Sequence, residues 1–407
     1  MEHFIERTEV LLLIAAIVSM IARRLRLPYT IGLLAAGIGI ALTPLTPGFS
    51  LTKELLFTAF LPPLIFEAAF QMPWKGVRRD LPVTLTLATA GVALSSGVVA
   101  VGSRYLLQWP WEVAILFGVL ISATDPVSVI ATFKANRVHG RLGLLVEAES
   151  LFNDGTAAVL FGVALAAIGG GAPNPVGIVG QFLITVFGGV LCGLAVGGFT
   201  LLLAGRTDDH LVEITFTTIA AFGSFLLAEQ FHLSGVLATL TAGLLLGNVG
   251  PLGAITDRGR EAVLSFWEYA GFVANSLIFL LIGMPLAHRD FLTTGSAIGV
   301  AILLVLIGRA LAVYGGSALF HRAGELRVSP AHQHILFWGG LRGALAFALA
   351  LALPETVPLR DTITTVTFGV VAFSIVVQGL TMTPLLKRLG AIGTPPGPQA
   401  GPQGETD

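Results

Sequence analysis

The chain has 407 residues, of which 54% are hydrophobic and only 12% are charged. A soluble domain carries about 25% charged residues, so this composition excludes an ordinary soluble protein and indicates a membrane protein. The net charge of −1 says nothing about a partner, and nucleic-acid binding has no basic patch to support it beyond the loops between apolar segments. The single cysteine, Cys192, excludes an intrachain disulfide.

Apolar segments long enough to cross about 30 Å of hydrocarbon follow one another along the chain. We predict thirteen spans, at approximately 9–26, 29–43, 54–71, 81–107, 112–133, 141–168, 177–204, 209–229, 234–249, 260–287, 291–320, 331–353 and 361–389. With the N-terminus outside, most Lys and Arg residues of the loops fall on the cytoplasmic side, as the positive-inside rule requires. We therefore expect an all-α, multi-pass protein of the cell membrane with a cytoplasmic C-terminus.

The C-terminal residues 391–407 are rich in Pro and Gly and show no apolar periodicity. Such a composition cannot bury enough apolar surface to fold. We predict a disordered cytoplasmic tail there.

The third span contains a carboxylate, Glu67, within the hydrocarbon. A charged side chain at that depth costs about 2.5 to 3.5 kcal/mol on insertion scales, so it normally faces a cavity, an ion or a counter-charge. Glu67 is therefore a candidate member of a cation site, with a contact between subunits as the alternative.

The fifth span contains Thr124, Asp125 and Pro126 near its middle. Pro126 removes a backbone donor and disfavours helical geometry at Asp125. The carbonyl of Thr124 can then leave the helical ladder and face a ligand, which is tolerated where a broken helix lines a cavity. A helix interrupted at mid-membrane is predicted, and a simple proline kink is the alternative.

The sixth span contains the sequence from Glu149 to Asp154. Ser150, Asn153 and Asp154 are spaced i, i+3, i+4, so they share one helix face. Their oxygens are hard ligands of the kind that an alkali cation prefers. A helix–helix hydrogen-bond cluster would explain Ser150 and Asn153 but not a buried Asp154, so this face is predicted to bind a cation.

The twelfth span has three glycines within residues 339–343, together with Arg342. It lies seven spans after the fifth, as expected for equivalent positions of two inverted repeats. Interrupted helices in corresponding positions are the best sequence pointer to a transporter's binding site. We therefore predict two broken helices that cross near the cation.

A buried arginine needs an anion, and two arginines are present in the apolar spans. Glu149 points about 100° away from Ser150 on the helix, so it is predicted to form a structural ion pair with Arg342, whose loss would be costly. For Arg309, in the eleventh span, a counter-ion role towards Asp125 and a helix-terminus contact both stay open.

Four sequence motifs of the chain resemble those of the monovalent cation:proton antiporters, specifically the NhaP-type sodium/proton antiporters related to animal sodium/proton exchangers. They are Phe66-Glu67-Ala68-Ala69, Ala123-Thr124-Asp125-Pro126-Val127, Glu149-Ser150-Leu151-Phe152-Asn153-Asp154-Gly155-Thr156 and Gly339-Gly340-Leu341-Arg342-Gly343-Ala344. The resemblance implies a homodimer of NhaA-like fold within residues 1–390. It also implies a core bundle at approximately 81–168 and 291–389 and a dimerisation part at approximately 9–71 and 177–287.

The resemblance also implies a role for each site residue. The implied sodium ligands are Asp154, Ser150, the Thr124 carbonyl and Glu67. Asp154 would bind the ion and the proton in turn, and Asp125 would be a ligand through water or an organiser of the crossing. Asn153 would orient Asp125, and Glu149 with Arg342 would be the structural pair.

The implied function is exchange of sodium or lithium for protons by alternating access, in which cation and proton compete for Asp154. Relatives with Asp in place of Asn153 tend to be electrogenic, so electroneutral exchange is expected here. Potassium/proton exchange is the first alternative, and a cation channel or an ion-sensing receptor is a weaker one. We expect neither enzymatic activity nor a cofactor, because the chain contains no P-loop or catalytic motif.

Overall fold

A computed structural model describes residues 2–25, 28–43, 52–125, 127–136, 138, 140–170, 175–289 and 291–392. Pro126 and residues 393–407 of the predicted tail lie outside these ranges. Every regular element in the described part of the chain is helical, which confirms the predicted all-α fold.

The helices follow the predicted spans closely. The first nine are α1 (Glu2–Leu25), α2 (Tyr29–Ala41), α3 (Leu61–Gln71), α4 (Trp74–Thr86), α5 (Val92–Leu106), α6 (Trp111–Leu120), α7 (Val127–Ala135), α8 (Arg141–Gly170) and α9 (Pro175–Ala204). The others are α10 (His210–Gln230), α11 (Gly235–Val249), α12 (Asp257–Leu286), α13 (Phe291–Ala310), α14 (Gly316–Leu319), α15 (Pro330–Trp338), α16 (Ala344–Leu351), α17 (Arg360–Phe373) and α18 (Gly379–Arg388). Wider π-helical turns lead into α3 and join α4 to α5, α13 to α14 and α17 to α18; they are Leu55–Phe60, Leu87–Gly91, Leu311–Gly315 and Ser374–Gln378.

Seven continuous helical stretches of the described residues are long and apolar enough to cross a membrane. They are Trp74–Leu106, Arg141–Ile168, Val176–Ala204, His210–Gln230, Asp257–Leu286, Thr293–Leu319 and Arg360–Arg388. Shorter apolar helices account for several other predicted spans, including Tyr29–Ala41 and Gly235–Val249. The number of thirteen membrane crossings therefore stays a prediction.

Two predicted spans are interrupted at their centres. α6 ends at Leu120 and α7 begins at Val127, and α15 ends at Trp338 before α16 begins at Ala344. Each interruption leaves backbone carbonyls without partners inside their own helix. The predicted pair of broken helices is confirmed.

The helices pack in two groups. α1, α2, α3 and α9–α12 contact mainly one another, with α12 against α2 and α11 against α3. α4–α8 and α13–α18 form the second group, in which α5 contacts α6 and α13. α8 also contacts α9 and α11, so it lies between the groups. The assignment of one group to dimerisation and the other to a core stays a prediction.

The centre of the second group contains α16, whose residues from Ala344 to Ala350 are all buried. Phe347 stacks on Phe368 of α17 with ring centroids 3.8 Å apart. α6 is similarly buried along most of its length. These two half-helices therefore form a closely packed region on one side of the interruptions.

Candidate cation site at the crossing of two broken helices

The two interruptions lie directly against each other. The backbone N–H of Asp125 donates a hydrogen bond of 2.7 Å to the carbonyl oxygen of Leu341. The carboxylate of Asp125 also packs against Gly343, where an added Cβ atom would collide with Oδ2 of the carboxylate. Gly343 has φ −152°, which any residue adopts, so the close approach and not the backbone conformation requires glycine here.

The polar face predicted on α8 meets the first interruption. Ser150 Oγ lies 3.1 Å from Thr124 Oγ1, and Asn153 Nδ2 donates to the same Thr124 oxygen at 3.2 Å. Asp154 Oδ1 is buried and has no hydrogen-bond partner among the residues that the structure describes. A buried carboxylate oxygen without a partner is costly, so Asp154 needs a proton or a cation at this position.

A cavity of about 1090 Å³ opens onto this carboxylate. Asp154, Thr124 and Asp125 form part of its wall, and Lys387 of α18 also lines it. Ser150 is buried and does not line the cavity, but its hydroxyl contacts Thr124, which does. The structure thus brings Thr124, Asp125 and Asp154 to one cavity wall, with Ser150 in contact with Thr124.

Glu67 lines the same cavity from α3. Its Oε1 accepts a hydrogen bond of 3.3 Å from Gln71, and its Oε2 lies where a Cβ atom on Gly271 of α12 would be. No hydrogen bond joins it to Asp154. Its predicted role as a ligand stays a prediction.

The predicted ion pair between Glu149 and Arg342 is wrong. Glu149 is held instead by Arg309 of α13, whose two terminal nitrogens donate to Oε1 at 2.7 Å and to Oε2 at 3.0 Å. Both side chains are buried, at 1% and 5% exposure. The same guanidinium donates to the Leu336 carbonyl near the end of α15 at 2.9 Å, so Arg309 makes the helix-terminus contact and has Glu149, not Asp125, as its ion-pair partner.

Arg342 satisfies carbonyls and not a carboxylate. Its Nη1 donates to the carbonyl oxygens of Ser122 at 2.7 Å and Ala123 at 3.3 Å, which follow the end of α6. The C-terminal end of a helix carries partial negative charge, so a permanent cation is stabilised there. Each of the two interrupted helices thus has an arginine at its first broken end.

Asn153 bonds two other groups of the crossing. Its amide donates to Thr124 Oγ1 at 3.2 Å and to Glu149 Oε1 at 3.3 Å. Asn153 therefore connects the Glu149–Arg309 pair to the threonine that lines the cavity. Its predicted role in orienting Asp125 stays a prediction.

The carboxylates near the crossing differ in the charges that surround them. The charged side chains that act most strongly on Asp154 are the carboxylates of Asp125 and Glu149, and Glu149 is already neutralised by Arg309. Among the described residues, no three His, Cys, Asp or Glu side chains converge as a metal site. The groups at the crossing are carboxylate, hydroxyl and carbonyl oxygens, which suit an alkali cation better than a transition metal.

The sequence analysis missed several polar residues around the site. Glu147, Lys134 and Glu268 line the cavity beyond Asp154, and Gln378 contacts the end of α15. Glu147 and Gln378 could have been found, because each is a polar residue inside an apolar span. Glu268, inside the predicted span 260–287, could have been found in the same way, whereas Lys134 follows a predicted span end, where a solvated side chain is the usual explanation.

Comparison with known proteins agrees with this architecture. A family model described as "Sodium/hydrogen exchanger, transmembrane" matches residues 10–388. The Na⁺/H⁺ antiporter ApNhaP of Aphanothece halophytica is 37% identical over 369 residues, covering 90% of this chain and 71% of that protein. The Na⁺/H⁺ antiporter NhaH of Halobacillus dabanensis is 36% identical over 406 residues, covering 94% and 98%.

Another relative is the Na⁺/H⁺ antiporter NhaP of Pseudomonas aeruginosa, 37% identical over 352 residues and covering 83% of this chain and 82% of that protein. The solved structure of the sodium proton antiporter MjNhaP1 from Methanocaldococcus jannaschii superimposes with a TM-score of 0.75 at 21% identity, covering 95% of this chain and 98% of that chain. This similarity confirms the predicted antiporter fold. The match over nearly the whole length shows that the chain belongs to the transmembrane sodium/hydrogen exchanger family.

Proposed function

We propose that this protein exchanges sodium or lithium for protons across the cell membrane. The family match and the names of the relatives support sodium as the transported cation. The potassium/proton alternative has no support from these relatives. The proposed activity is transport, without an enzymatic step and without a cofactor, since sodium and the proton are substrates.

The observation that carries this proposal is the position of Asp154. Its Oδ1 is buried without a partner, while the carboxylate also forms part of the cavity wall. A proton or a cation can satisfy this oxygen, and the two cannot occupy it together. Competition for one carboxylate couples the uptake of one substrate to the release of the other.

The remaining ligands would come from the groups around Asp154. Thr124 and Asp125 line the same cavity, and Ser150 contacts Thr124 at 3.1 Å. In this proposal, the Ser150 hydroxyl and the Thr124 backbone carbonyl supply oxygens to an ion at Asp154. Glu67 would approach from α3 across the cavity as a further ligand.

The charges at the crossing favour electroneutral exchange. The charges of Glu149 and Arg309 cancel, the charge of Asp125 is offset by that of Arg342 at the same crossing, and Asn153 adds no charge beside Asp154. One negative charge therefore remains for either one sodium ion or one proton. The loaded site would carry the same charge in both states, so exchange would be one for one.

Alternating access is supported by the shape of the molecule around the site. The cavity extends from Asp154 to Thr383 and Lys387, and most residues of α6 and α16 are buried. In this proposal, these two half-helices close the other side. In the predicted topology, Lys387 is cytoplasmic, so this conformation would be open to the cytoplasm. A channel would instead need a path open from both sides at once.

Movement of one helix group against the other would expose the site to the other side. In this proposal, α4–α8 and α13–α18 carry the crossing, while the group containing α2, α3 and α12 forms the dimer. The protein would work as a homodimer in the cell membrane, with its N-terminus outside and its C-terminus in the cytoplasm. The resemblance of the sequence motifs supports these features.

Purified protein in liposomes tests the proposed function. A sodium or lithium gradient should drive proton movement, reported by an enclosed pH dye, and clamping the membrane potential at zero should leave the rate unchanged. Asp154→Asn should abolish the signal. Asp361→Asn, which removes a carboxylate of 89% exposure at the start of α17, should behave like the wild type.

Two results would overturn the proposal. The first is sodium-driven proton exchange by Asp154→Asn at the wild-type rate. The second is exchange by the wild type with potassium but not with sodium or lithium.

A further inference from the structure

Two buried polar side chains in the last predicted span lie outside the cavity wall described above. Gln378 is 3% exposed and Ser374 is 1% exposed, both in the π-helical turn between α17 and α18. Ser374 Oγ donates a hydrogen bond of 2.8 Å to Gln378 Oε1. A buried amide in an apolar span is costly unless both of its ends are bonded, so the other end of Gln378 indicates its role.

That other end reaches the second broken helix. Gln378 Nε2 donates to the carbonyl oxygen of Trp338 at 3.2 Å, and Trp338 is the last residue of α15. The carbonyls of the three residues before Trp338 accept from the Gly339 N–H at 2.7 Å, the Arg309 guanidinium at 2.9 Å and the Gly340 N–H at 3.5 Å. All four final carbonyls of α15 are thereby satisfied, and Gln378 supplies the bond nearest to the interruption.

This bond lies close to the crossing in sequence and in space. Three residues after Trp338, the Leu341 carbonyl accepts the N–H of Asp125 at 2.7 Å. Asp125 is adjacent to Thr124, which contacts Ser150. The position of the Trp338 carbonyl therefore sets where the segment 339–343 begins, and that segment holds Asp125 in place.

A second contact ties the same helix end to α18. The indole Nε1 of Trp338 donates to Thr381 Oγ1 at 2.8 Å. The bond from the indole is exposed, whereas the Gln378 side chain is buried. The amide is therefore the contact that fixes the backbone.

We propose that Gln378 is a positioning residue for cation binding: its amide, oriented by Ser374, holds the broken end of α15 and through it the placement of Asp125 and Thr124. This inference rests on the proposed sodium/proton exchange. It adds a residue outside the cavity wall to those that determine sodium affinity. The wider π-helical turn is the local feature that turns Gln378 towards α15, in keeping with the frequent occurrence of such turns at functional sites.

The test is the sodium dependence of exchange in liposomes for Gln378→Met, which keeps the length of the side chain and removes the amide. We expect the sodium KM to rise by about threefold to tenfold, as the loss of one hydrogen bond predicts, with little change in maximal rate per folded protein. A role in folding alone would lower the amount of folded protein, and with it the total rate, and would leave KM unchanged. The matched control is Thr367→Val, because the Thr367 hydroxyl is buried in the same span but bonds only the Ile363 carbonyl of its own helix.

A second variant keeps the test decisive if Gln378→Met does not fold. Ser374→Ala leaves the amide in place and removes the hydroxyl that orients it, so it should raise the sodium KM in the same direction by a smaller factor. An unchanged KM in whichever variant folds would overturn the positioning role. Absence of sodium exchange in the wild type would instead refute the proposed function, so the two failures are distinguishable.

Discussion

Individual residues at the crossing differ chiefly in how their charge is satisfied. Glu149 has a bidentate partner in Arg309, and Arg342 is stabilised by two carbonyl oxygens at the end of α6. Asp154 has a buried oxygen with no partner among the described residues. Asp154 is therefore the residue that can accept a proton or a cation, because the charges of Glu149 and Arg342 are already satisfied.

The corrected ion pair makes a prediction about stability. Arg309→Met should leave Glu149 buried and unpaired, which costs about 3 to 5 kcal/mol, and should lower the thermal unfolding temperature in detergent. Adding Glu149→Gln should recover much of that loss. The matched comparison is Arg342→Met with Glu149→Gln, where no such recovery is expected because the two groups are not paired.

Recovery in the Arg342 background and none in the Arg309 background would contradict this pairing. The sequence could not have decided between the arginines. Both lie deep in apolar spans, and their partners depend on which helices become neighbours. The face formed by Ser150, Asn153 and Asp154 was predictable, by contrast, because it follows from spacing within one helix.

At the scale of the helices, the main feature is a pair of interruptions whose residues form hydrogen bonds with each other. The Asp125 N–H donates to the Leu341 carbonyl, and Arg342 donates to the carbonyls of Ser122 and Ala123. Glycines in the twelfth span and the Asp-Pro sequence in the fifth predicted both breaks. The partners of the freed carbonyls were not predictable, because Arg342, Arg309 and Gln378 come from three different segments of the chain. Local sequence therefore determines where a helix breaks, and tertiary contacts determine how the ends are held.

Close packing at the crossing predicts the effect of one methyl group. Gly343→Ala should push the Asp125 carboxylate out of place, since the new Cβ would collide with it, and should reduce sodium exchange at least about tenfold. Gly162→Ala is the control, because a Cβ at Gly162 in α8 meets nothing within 4 Å. Exchange rates in liposomes, normalised to folded protein, make the comparison. Equal rates for the two variants would show that the crossing tolerates displacement of Asp125.

At the scale of the whole molecule, the cavity extends from the crossing to Thr383 and Lys387 of α18. Most residues of α6 and α16, the other halves of the broken helices, are buried. The predicted topology places the open side in the cytoplasm. The cavity itself could not be derived from the sequence, because it depends on the separation between the two helix groups.

Cysteine labelling tests the side to which the cavity opens. In a Cys192→Ala background, Thr383→Cys should react with a membrane-impermeant maleimide in inside-out vesicles. Glu112→Cys, at the exposed start of α6, should react only in right-side-out vesicles. Labelling of Thr383→Cys from the outside would reverse the topology proposed here.

The central claim is that sodium and a proton compete for one carboxylate. Its most direct measurement is proton release on sodium binding to the purified protein in weakly buffered detergent solution. We predict release of about one proton per sodium bound, no release from Asp154→Asn, and a sodium dissociation constant that rises about tenfold for each unit of falling pH where the site is protonated. Saturable sodium binding without proton release, at a dissociation constant independent of pH, would contradict the account.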